Sequence, residues 1–146
     1  MTSEIVLVPI KGSSHDSKTI AMACDMVRNN GGKIVLLYVL EIPREHPLDI
    51  EDKHATSLGE DILNAAESLA RKRKCTVDAQ LIQAREVGPA IVQEAIESHA
   101  TAILIGLPYK QKYGSYSIGT TAPYLLKNAP CQVMLNRTPL IQECIE

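Results

Sequence analysis

The chain has 146 residues, 45% of them hydrophobic and 22% charged, with a formal net charge of −2. That length suits one domain over residues 1–146, burying roughly two-thirds of its unfolded surface. The small negative charge argues against a general nucleic-acid binder, and five Tyr without Phe or Trp leave the core to aliphatic side chains.

No apolar run approaches the ~18 residues of a membrane span. The opening MTSEIVLVPIKG lacks the basic-then-apolar order of a signal peptide, so the expected location is the cytoplasm. Cys24, Cys75, Cys131 and Cys144 are scattered, with no C-x-x-C and no His at metal-ligand spacing. Reduced thiols and no metal site are the expectation.

Residues 4–10, EIVLVPI, are apolar and β-branched and close on Gly12, Ser13 and Ser14, which predicts a buried strand. Ser13-x-x-Asp16 reads as a capping box for a helix to Asn30, with Ile20, Ala21, Cys24 and Val27 at helical spacing. Asn29, Asn30, Gly31 and Gly32 stop it. Residues 34–40, IVLLYVL, form a second buried strand. Pro43 and Pro47 then mark an irregular, mobile connection carrying Glu41, Glu45 and Asp49.

A long helix follows from about Glu51 to Lys74, with Leu58, Ile62, Leu63, Ala66, Leu69 and Ala70 on one side and His54 toward that side. Its terminal Arg71-Lys72-Arg73-Lys74 complements the helix dipole. Residues 76–83 alternate apolar and polar, a strand exposed on one side and placed at an edge. Gly88-Pro89 opens a helix with Ile91, Val92, Ala95 and Ile96 as its apolar face. Residues 101–105, TAILI, make a fourth buried strand. A last helix starts near Gly119, and Cys131 to Leu135 is a fifth strand.

The alternation predicts an α/β fold, a five-stranded, mostly parallel Rossmann-like sheet with helices on both faces. Ligands of such sheets bind beyond the carboxyl ends of the strands, where strand order reverses. That directs attention to Lys11–Asp16 and Gly106–Gly119. Gly106 ends strand four, where a side chain would obstruct an approach to the backbone. Pro123 is tolerated only in a helix's first turn, which fixes the last helix start and leaves the amides of Gly119, Thr120 and Thr121 without intrahelical acceptors. Such amides attract anions, and the hydroxyls of Ser117, Thr120 and Thr121 add donors. Gly114-x4-Gly119-Thr120-Thr121 is not a P-loop, since Thr120 stands where the lysine must be.

The residues together resemble the universal stress protein family of small α/β domains. VPIKGSSHDSKTIAMA, VGPAIVQEAIESHATAILIG and LLKNAPCQVMLNR carry the likeness along nearly the whole chain. The family motif Gly-x2-Gly-x9-Gly-(Ser/Thr) falls on Gly106, Tyr109, Gly119 and Thr120, with Tyr109 in place of the second glycine. Lys11 stands where the family typically has an aspartate after strand one. The resemblance implies an adenine nucleotide alpha hydrolase-like fold and a nucleotide pocket. Pro9, Lys11, Ser13, Val39, Gly106, Tyr109, Gly119, Thr120 and Thr121 are its expected residues, with the backbone near Val39 meeting adenine.

Lys11 removes an acceptor and adds a cation that attracts phosphate. ATP, AMP, a cyclic mononucleotide or a cyclic dinucleotide such as cyclic di-AMP are the candidate ligands, with Mg2+ accompanying ATP alone. Tyr109, Tyr113 and Tyr116 either stack on a base or pack locally. The resemblance also implies a homodimer through the last strand, Cys131 to Asn136, unless the tail from Thr138 to Glu146 covers it.

The leading expectation is therefore a regulatory, stress-response or signalling module that binds a nucleotide and acts through a homodimer and an unknown protein partner. A ligand-free dimeric interaction module is the alternative. An ATP-hydrolysing enzyme of the ATP-pyrophosphatase type is a third reading. Only Asp16-Ser17 matches its SGGxDS loop, and His15 reads as a first-turn polar residue rather than a general acid.

Overall fold

Three consecutive apolar residues place one strand at the centre of the sheet. In β1 (Ile5–Pro9) Val6 and Val8 point to one face and Leu7 to the other, and all three are fully buried. A strand buried on both faces needs neighbours on both edges and helices above and below. The structure, a computed structural model, describes residues 4–108 and 119–137.

The elements run β1, α1 (Asp16–Val27), β2 (Lys33–Glu41), α2 (Lys53–Lys72), β3 (Thr76–Ala84), α3 (Val87–Glu97), β4 (Ala102–Leu107), α4 (Thr121–Asn128) and β5 (Gln132–Arg137). All strand pairs are parallel, in the order β3-β2-β1-β4-β5. Helices α1 and α2 cover the face that carries Val6, Val8, Ile34 and Leu36. Helices α3 and α4 cover the face that carries Leu7, Val35, Leu37 and Ile103. Each fully buried Leu or Ile contributes about 2 kcal/mol relative to exposure, so these aliphatic layers hold the fold without Phe or Trp. No helix among the described residues is long and apolar enough to cross a membrane.

The strand ladders are unequal. β2 and β3 stay in register from Lys33–Thr76 to Glu41–Ala84, whereas β1 and β4 pair only at Val6–Ala102 and Leu7–Ile103. Pro9 accounts for the short ladder. The Ile10 amide donates to Leu37 O on β2 at 2.9 Å. Successive amides of a strand point to opposite edges, so position 9 faces β4, and proline has no N–H to give. The two strands part there, at the reversal of strand order.

The structure moves several expected details. Ser13 does not cap α1; the N-cap is His15, without a side-chain cap. Asp16 instead reaches back, its Oδ2 accepting from Gly12 N at 2.7 Å and Lys11 N at 3.2 Å. α1 ends at Val27 rather than Asn30.

In α2, Leu58 is 51% exposed and His54 is exposed, while Gly59 is buried. A Cβ at Gly59 would come within 2.8 Å of Tyr38 Cε1 and 2.9 Å of Leu81 Cδ1. The helix meets the sheet through its glycine, and this rotation turns Leu58 outward. Ile96 of α3 is likewise exposed.

Candidate functional site

Where β1 and β4 separate, a cavity of about 660 Å³ opens at the carboxyl ends of the strands. Pro9 and Lys11 enter it from the end of β1, Val39 and Glu41 from the end of β2. Gly106 at the end of β4 and Thr120 with Thr121 at the start of α4 supply the opposite wall. Glu86 to Pro89, the first turn of α3, and Tyr124 complete it. Two helices thus begin at one cavity. Helix α4 opens with Thr120 as N-cap and no side-chain cap, and Pro123 occupies its first turn. Its first amides have no intrahelical acceptors and carry the positive end of the helix dipole.

Three close approaches set the shape. Above Gly106 stands α1: a Cβ there would overlap Thr19 Oγ1 and lie 2.9 Å from His15 Cδ2. The glycine expected to clear an approaching ligand also clears a helix. Thr19, the buried polar side chain among the described residues, donates to His15 O at 3.1 Å and accepts from Asn136 Nδ2 at 3.3 Å. Asn136 sits opposite Gly106 in the β4–β5 register. Third, Gly88 lies under the Tyr124 ring, where a Cβ would be 2.8 Å from Cδ1. That contact lets α3 and α4 converge.

The connection after β2, expected to be mobile, is strapped to the end of β3. Arg85 Nη1 donates to Pro43 O at 2.6 Å, His46 O at 2.8 Å and Ile42 O at 3.4 Å. Gln83 Nε2 donates to Leu48 O at 2.7 Å and Ile50 O at 3.1 Å. Backbone polar groups that leave a sheet need partners, and two side chains provide them here.

Of the residues expected from the sequence, Pro9, Lys11, Val39, Gly106, Thr120 and Thr121 line this cavity. Ser13 does not; it lines a separate shallow groove between α1 and α2, with Ile20, Ile62 and Leu69. Gly119 adopts φ +78° just before the N-cap and is outside the lining. Tyr109, Tyr113, Tyr116 and Ser117 lie outside the described residues. Sequence reasoning missed Glu41, Tyr124 and the turn from Glu86 to Pro89. The rule that pointed to the loops after β1 and β4 applies equally to the loops after β2 and β3.

Among curated protein sequences, none matches this chain. Solved structures do. A universal stress protein from Archaeoglobus fulgidus superposes with a TM-score of 0.77 at 21% identity, over 92% of this chain and 98% of that one. The Archaeoglobus fulgidus protein in complex with dAMP gives 0.73 at 21% identity, over 92% and 97%. An Arabidopsis thaliana universal stress protein family protein with AMP bound gives 0.71 at 17% identity, over 95% and 94%. At these identities the likeness establishes the fold. The model of the universal stress protein family matches residues 2–137, and this chain belongs to that family.

Proposed function

We propose that the protein is a regulatory module that binds an adenine nucleotide in the cavity at the β1–β4 separation and acts through a homodimer. The observation that carries the reading is the convergence of Lys11, the glycine-ended β4 and the start of α4 on one concave site at the reversal of strand order. A cation and helix-end amides favour a phosphate, and about 660 Å³ is a volume typical of small-molecule sites. The complexes of two fold neighbours with dAMP and AMP support the choice of ligand class.

In this reading phosphate lies toward Lys11, Thr120 and Thr121, and the base toward Val39. The site is one for binding rather than turnover. The Asp16 carboxylate is engaged by the amides of Lys11 and Gly12, and His15 packs on Gly106. Neither is disposed as half of an acid–base pair. For the dimer, β5 ends the strand order, and Leu135 on it is 41% exposed. An apolar edge strand is suited to pairing with its copy.

Isothermal titration of the full chain with ATP, AMP, cyclic AMP and cyclic di-AMP tests the ligand. Binding of at least one is expected, weakened about three- to tenfold in Lys11→Ala and less so at high salt. No heat with any of the four would remove the reading.

A further inference from the structure

The cavity is charged unevenly across the sheet. Lys11, His15 and Asp16 stand where β1 passes into α1, the Asp16 carboxylate already taken up by the amides of Lys11 and Gly12, and the start of α4 lies on that same side. Glu41 at the end of β2 and Glu86 at the end of β3 face the cavity from the other side. Neighbouring strands lie about 4.8 Å apart, so the three steps from β3 to β4 span roughly 14 Å. One end of the site attracts negative charge; at the other, the two carboxylate side chains can accept N–H and O–H donors from a ligand.

Both carboxylates are available to a ligand. Glu86 is the N-cap of α3 yet makes no side-chain cap bond. Its contact with Arg44 is 4.0 Å long between two exposed side chains, too loose to occupy it. The backbone that presents them is fixed. Arg85, adjacent to Glu86 in sequence, binds the carbonyls of Ile42 and Pro43 just after Glu41. Ile42 N also donates to Ala84 O at 2.8 Å. The ends of β2 and β3 are thus cross-linked beside the two acidic residues.

We propose that Glu41 and Glu86 are specificity residues that accept N–H or O–H donors from the end of the ligand remote from its phosphate. This rests on the nucleotide reading above and deepens it: the ligand carries its anion toward Lys11 and its donors toward the β2–β3 side. In a nucleotide those donors come from two sources, an exocyclic amino group on the base or a ribose hydroxyl.

Three probes separate the sources. AMP, purine riboside 5′-monophosphate (which lacks only the amino group) and 2′-deoxy-AMP are titrated into the full chain and into Glu41→Ala and Glu86→Ala. The expected result is an analogue that binds the wild-type chain about tenfold more weakly than AMP. That ratio should fall toward one in at least one variant. Loss with the deaminated analogue assigns the carboxylates to the base; loss with the deoxy analogue assigns them to the ribose. If AMP binds and both analogues follow within twofold, or if neither variant alters the ratio, the proposal is overturned while the nucleotide reading stands. If none of the three binds, the nucleotide reading fails for monophosphates and this proposal with it.

Discussion

The Thr19 hydroxyl lies over Gly106, in the space a Cβ at position 106 would fill. Thr19 on α1 and His15 at its start therefore dictate glycine at the end of β4, independently of any ligand. Gly106→Ala should cost about 1–3 kcal/mol, the usual penalty of overpacking a filled site. Thr19→Ala removes the obstructing oxygen, so the double variant should lose less than the sum of the singles. Urea unfolding of the four proteins measures this; strict additivity would mean that the two residues do not compete for the same space.

Arg85→Ala removes three hydrogen bonds to the carbonyls of Ile42, Pro43 and His46. The expected cost is about 1–3 kcal/mol. Amide exchange should rise over residues 42–50 and stay unchanged in β1 and β4. Hydrogen exchange by mass spectrometry reads this directly, and uniform acceleration along the chain would point to global destabilisation instead.

Leu135→Glu places a charge on the edge strand of the proposed dimer. If β5 pairs with its copy, like charges meet across the two-fold axis and the mass in sedimentation halves at micromolar concentration. A wild-type chain that is monomeric throughout that range would dispose of the interface.

Cys24 is fully buried, and its thiol is pushed up to about 12. Burial is the main cause and the Cys75 sulfhydryl the second; Arg73 and Arg28 pull it weakly down. In an unfolded chain this thiol ionises near 9.0. Below that pH both states hold the proton. Above it the unfolded state releases the proton first, so the folded state loses stability from about pH 9 toward about pH 12, at up to ~1.4 kcal/mol per pH unit. Comparing urea midpoints at about pH 8 and about pH 10.5 should show a steeper fall in the wild-type chain than in Cys24→Ala. Equal slopes would contradict a proton held by Cys24.

The five strands and four helices among the described residues were legible because their apolar runs are short, β-branched and punctuated by Gly, Pro and Asn. Which residues a helix turns inward was less so. Periodicity put Leu58 on the buried side of α2, but a helix seats where it can come closest, and that place is Gly59 against Tyr38 and Leu81. A glycine contributes nothing to a hydrophobic pattern, so the seat is invisible until both surfaces are present.

The Asp16 side chain was similarly misassigned. Local spacing offered it a role with Ser13, whereas the tight turn at Gly12, with φ +87°, brings two other amides within its reach. Of the residues lining the cavity, Pro9, Lys11, Gly106, Thr120 and Thr121 lie at or near glycines and prolines that the sequence displays. Glu41, Glu86 and Tyr124 come from three different elements, and only the fold brings them together. Arg85 gave no signal, because its partners are backbone carbonyls 39 to 43 residues away.

Pro9 divides the sheet into two ribbons, β3-β2-β1 and β4-β5, laced by two rungs where β2 and β3 share nine. The Asn136–Thr19 hydrogen bond clasps the second ribbon to the helix that follows the first. On the reading proposed above, a ligand seated at Pro9 would press on this line. Among the described residues the two ribbons are joined by those two rungs, by the hydrogen bonds between Thr101 and Ile5, by the Asn136–Thr19 clasp and by packing on both faces, a thinner seam than the nine rungs between β2 and β3.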